Sequence, residues 1–107
     1  MTIPSVEEVN LRSQLDASVG RLHAALSRCP VIDDTLSDER LAEADAIIDA
    51  ADAEIRSAQA IAASLEHLVG ASEEAILVGN VARVALEIAI CAVSSLRAEL
   101  DYRRMAA

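Results

Sequence analysis

Residues 38–69 read DERLAEADAIIDAADAEIRSAQAIAASLEHLV, a run without glycine or proline. Its apolar members Leu41, Ala44, Ile48, Ala51, Ile55, Ala58, Ala62, Leu65 and Val69 recur in alternating steps of three and four. Those steps put all nine on one stripe of a long helix packed along its length against others. The same run carries eight acids (Asp38, Glu39, Glu43, Asp45, Asp49, Asp52, Glu54, Glu66) against Arg40 and Arg56, so −6 of the chain's net −9 sits here. The helix is a seam on one side and acid on the other.

Working outward, Ser37 is a good N-cap for this helix, and Gly70 suits the left-handed residue that follows a helix end. Upstream, Ser5 and Glu8 form a capping box behind Pro4. Leu11, Leu15, Val19, Leu22, Leu26 and Cys29 then recur every three or four residues until Pro30 stops the pattern. Gly20 weakens this first helix by about 1 kcal/mol relative to alanine. Downstream, Ser72 caps a third helix with Glu73 and Glu74 in its first turn, where acids favour the helix dipole. Arg103 and Arg104 suit its far end. Helices near 6–29, 38–69 and 73–104, joined by short links, predict an all-α, antiparallel up-down-up three-helix bundle.

The third helix is apolar over most of its circumference. One stripe reads Leu77, Val81, Val84, Ile88, Cys91, Ser95, Ala98, Tyr102, and a second reads Val78, Ala82, Leu86, Ala89, Val93, Leu96, Leu100. A helix of this kind is expected to be the most buried. Two neighbours cover only about half of it, so the surplus predicts a homodimer; the alternative is that an irregular amino-terminal segment or a break near Gly79-Asn80 covers that face within one chain. The interface is expected from Leu86, Ile90 and Val93, with Ile47, Ile61 and Leu68 contributed by the second helix.

The 107 residues fit a single domain over 1–107, with 53% hydrophobic residues but no Phe, no Trp and only Tyr102 as an aromatic. An interior of Leu, Ile, Val and Ala buries little area per residue, which favours long, close interhelical contact. With no lysine and scattered arginines, direct binding to nucleic acid or to an anionic membrane is not expected. Residues 1–8 lack the basic start and apolar run of a secretory signal, and no uninterrupted apolar stretch approaches the length of a membrane span. A cytoplasmic protein is the expectation. Cys29 and Cys91 are then expected reduced and, in an up-down-up bundle, too far apart to pair. Cys91 reads as a core residue of the seam.

For function, Asp38, Asp45, Asp52, Gln59 and Glu66 fall seven apart along one flank of the second helix. Together with Asp49 they form an acidic face that either keeps the bundle soluble or meets a basic partner surface. No metal, cofactor or catalytic residue is expected: His23, His67, Cys29 and Cys91 lack ligand spacing, and no phosphate loop or nucleophile motif occurs. His67-Leu68-Val69-Gly70 resembles the active segment of histidine-phosphotransfer domains over four residues. It departs from that segment where the glycine comes one residue early and Val69 replaces the basic residue. The leading expectation is a non-enzymatic acidic helical interaction module that forms homodimers. The alternatives are a small phage- or mobile-element-type inhibitor, anti-CRISPR or anti-restriction in kind, and a phosphotransfer or metal-binding helical protein.

Overall fold

The structure, a computed structural model, describes residues 5–105. Three helices follow in order, α1 (Val6–Arg28), α2 (Asp38–Glu66) and α3 (Glu73–Met105), and no strand occurs among the described residues. Pro4, expected just ahead of the first helix, lies outside them. The hydroxyls of Ser5, Ser37 and Ser72 each accept the backbone N–H three residues on, from Glu8, Arg40 and Ala75. All three starts are therefore capped where the sequence places them.

The α2 seam is the core. Leu41, Ala44, Ile48, Ala51, Ile55, Ala58, Ala62 and Leu65 are all buried. The ninth expected member, Val69, is 98% exposed because α2 stops at Glu66, three residues early. His67 is the C-cap, and Gly70, at φ +77°, turns the chain within the link rather than directly behind the helix. A left-handed residue is thus needed where glycine stands.

The molecule measures 59 × 18 × 15 Å. It runs up, down and up with α2 in the middle: α1 and α3 both pack on α2 and touch each other little. This overturns the expectation that α3 is the most buried helix. A central helix meets neighbours on both flanks, so α2 buries eight residues and the longer α3 buries five.

α1 is rotated relative to its expected stripe. It buries Glu8, Leu15, Ser18, Leu22 and Ala25, while Val19 is exposed. The rotation turns Ser18 onto α2, where its hydroxyl donates to Glu54 Oε2 at 2.7 Å. Below α1, the link over 29–37 lays Ile32 and Leu36 against the core. Arg103 holds that link by donating to the carbonyls of Asp33 and Leu36, at 3.2 and 3.1 Å.

α3 is continuous, with no break at Gly79-Asn80. Gly79 is buried against the end of α2, and a Cβ there would lie 2.8 Å from Glu66 Cγ and 3.3 Å from the Ala62 carbonyl oxygen. The glycine is a close-approach residue.

Candidate interaction faces

The two apolar stripes of α3 face opposite ways. Leu86, Val93 and Leu100 are buried in the core, with Val78, Ala82, Ala89 and Leu96 packed against it. The other stripe points outward: Leu77 is 61% exposed, Val81 61%, Val84 57% and Ile88 69%. Ile76 adds to it from one edge. Leu86 and Val93, expected at a dimer interface, are therefore occupied inside their own chain. Ile90 and Ile61 are half-buried against the same core. Ile47 and Leu68 are half-buried outside it. Cys91, expected in the core, lies exposed on the outward stripe.

A groove of about 410 Å³ between α1 and α3 extends this apolar surface. Leu15, Val19, Leu77, Val81, Ala82 and Ala85 line it, with Asp16 at its side. By length and composition α3 is also long and apolar enough to cross a membrane. Its apolar run is not uninterrupted, since Arg83 and Glu87 fall within it. Only 17% of its most apolar window is buried, so the core does not account for that apolarity.

The acidic face of α2 is mostly engaged within the chain. Asp45 meets Arg104 at 3.1 Å and Arg97 at 3.8 Å, and Asp49 meets Arg97 at 2.6 Å. Asp49, with help from Asp45 and Asp52, holds Arg97 more firmly protonated than usual. Asp52 pairs with Arg56 at 3.0 Å. Glu66 is tucked between α2 and α3 with one carboxylate oxygen 3.3 Å from Arg83 and the other buried without a partner. Of the five acids expected to meet a basic partner, Asp38 alone has no cation within 4 Å among the described residues.

Two polar clusters escaped the reading of the sequence. Glu54 accepts from Arg21 Nε at 2.6 Å and from Ser18, and these bonds hold its carboxyl below the usual range. Glu8, 1% exposed, does not close its own capping box. Its Oε1 instead accepts the Ser72 N–H at 2.9 Å, and Oε2 has no partner. The Glu8 carboxylate thereby locks α1 to the start of α3, where a negative charge suits the dipole. Arg12 and Glu74, 3.1 Å apart, join the same two helices beside it.

The remaining reactive side chains are dispersed. Among the described residues no three His, Cys, Asp or Glu side chains are grouped to hold a metal ion, Asp45, Asp49 and Asp52 included. His23 and His67 are both exposed, and His67 stands at a helix cap rather than on a helix face. Cys29 and Cys91 are free thiols. Burial, with Glu99 nearby, pushes the Cys29 thiol up from its ordinary value. A shallow cleft between the 29–37 link and α3 gathers Asp33, Asp34, Glu99 and Tyr102 around Arg103, whose guanidinium is already bonded to the link. Compared with known protein families, with curated proteins and with solved structures, the chain matches none of them.

Proposed function

We propose that this protein is a non-enzymatic helical interaction module that docks, as a homodimer, through the outer face of α3. One observation carries the reading. The line Leu77–Val81–Val84–Ile88 is more than half exposed at every position, on a helix whose other face already fills the core. Four large aliphatic side chains in an unbroken row form the kind of patch that marks an association surface on a small domain. The acidic face of α2 is less suited to docking, since Asp45, Asp49, Asp52 and Glu66 are paired with arginines of the same chain.

Sedimentation equilibrium of the wild type and of Ile88→Glu tests the proposal. The wild type is expected to dimerise at micromolar concentration, and the variant to be a folded monomer because it would place an unpaired charge in the contact. A monomeric wild type refutes the self-association.

A further inference from the structure

Resting on that reading, we infer that the two copies pair their α3 helices antiparallel, with Leu77 of one copy against Ile88 of the other and Val81 against Val84. The spacing leads there first. Leu77, Val81, Val84 and Ile88 follow steps of four, three and four, which read the same in both directions. An apolar row with that symmetry fits a reversed copy of itself under a twofold axis, each residue meeting its counterpart reciprocally. All four layers then join large aliphatic side chains, and Ala85 on the flank lets the backbones approach.

Charge supplies the second argument. Asn80, Arg83 and Glu87 lie along one edge of the row, with the cation toward its start and the acid toward its end. Arg83 bridges Asn80 Oδ1 at 3.0 Å and Glu66 at 3.3 Å within its own chain, and Glu87 has no cation within 4 Å among the described residues. Reversing one copy sets Asn80 of each beside Glu87 of the other, twice per dimer, and the exposed Arg83 reaches toward the same carboxylate from its Glu66 pair. A parallel pair would leave Glu87 unmatched and set Glu74 against Glu74. It would also continue the contact into Ser95 and Tyr102, beyond the apolar segment. The antiparallel arrangement lets those polar ends diverge into solvent.

Cys91 reports the direction. In a parallel dimer it faces Cys91 of the other copy. In the antiparallel register it faces position 74, so the two thiols are 17 residues apart along the axis, about 25 Å at 1.5 Å per residue. The experiment combines sedimentation equilibrium with mild oxidation. Wild-type dimer is expected to form no Cys91–Cys91 disulfide. Leu77→Cys with Ile88→Cys, in a Cys29→Ser, Cys91→Ser background, is expected to become a covalent dimer through the 77–88 pair. Both substituted residues are exposed, so the core is untouched. A spin label on Cys91 of Cys29→Ser protein measures the same separation without new cysteines near the seam. A dimer with a Cys91–Cys91 disulfide, or with labels in contact, overturns the register and leaves self-association standing. A wild type that is monomeric, whether inert or floating with phosphatidylcholine vesicles, overturns both.

Discussion

Two glycines separate local propensity from tertiary contact. Gly20 has open space where a Cβ would sit, whereas a Cβ at Gly79 would press on Glu66 and the Ala62 carbonyl. Gly20→Ala is therefore expected to raise unfolding free energy by about 1 kcal/mol in urea titration. Gly79→Ala is expected to show no such gain and a net loss, because Glu66 must leave Arg83 to make room. Adding Glu66→Ala to Gly79→Ala should recover part of that loss, and a full gain from Gly79→Ala alone would contradict the close packing. At Glu8, replacement by alanine leaves the part-buried Ser72 N–H without its acceptor and is expected to cost about 1 kcal/mol. Glu8→Gln, which keeps an acceptor oxygen, should cost less. The serine caps were legible because a cap acts within three residues. The task of Glu8 was not, since its partner lies 64 positions away and a local motif offered a nearer one.

The same contrast holds for whole helices. α2 has one apolar stripe, so its heptad steps named eight core residues directly. α3 has two, and periodicity alone cannot say which of two opposite stripes faces inward. A signal was nevertheless present: Ala75, Gly79, Ala82 and Ala89 gather on the inward side, small residues suited to the alanine-rich seam of α2. Leu77, Val81, Val84 and Ile88 are all large. The α1–α2 contact adds the Ser18–Glu54–Arg21 cluster, which gives acid sensitivity with a definite sign. The Glu54 carboxyl is held below its ordinary value by Arg21 and Ser18, so its unfolded form takes up a proton first as pH falls. Its stabilising contribution is full above the ordinary carboxylate range and disappears as pH drops through the lowered folded value. Urea unfolding from pH 7 to pH 3 should show wild type and Glu54→Gln converging toward the acid end. A constant gap would mean that the cluster does not titrate with folding.

At the scale of the molecule, charge and apolar surface compete. Each copy carries net −9, so two copies repel at long range while the outer face of α3 attracts at contact. Added salt screens the repulsion, with a Debye length of about 10 Å at 0.1 M and about 30 Å at 0.01 M, and leaves apolar burial intact. The dimer is therefore expected to tighten as sodium chloride rises from 10 mM to 300 mM. A complex held by the acidic face of α2 against a basic surface would weaken over the same range. Dimerisation also stabilises the fold by mass action, so Tm should climb with protein concentration. Ile88→Glu should lose that dependence while keeping the Tm of dilute wild type, since the 69%-exposed side chain adds little to its own bundle. The two experiments constrain each other. A Tm that rises with concentration but falls away with salt would mean that ion pairs hold the copies together, and the contact would then belong to the arginine and acid edges rather than to the aliphatic row.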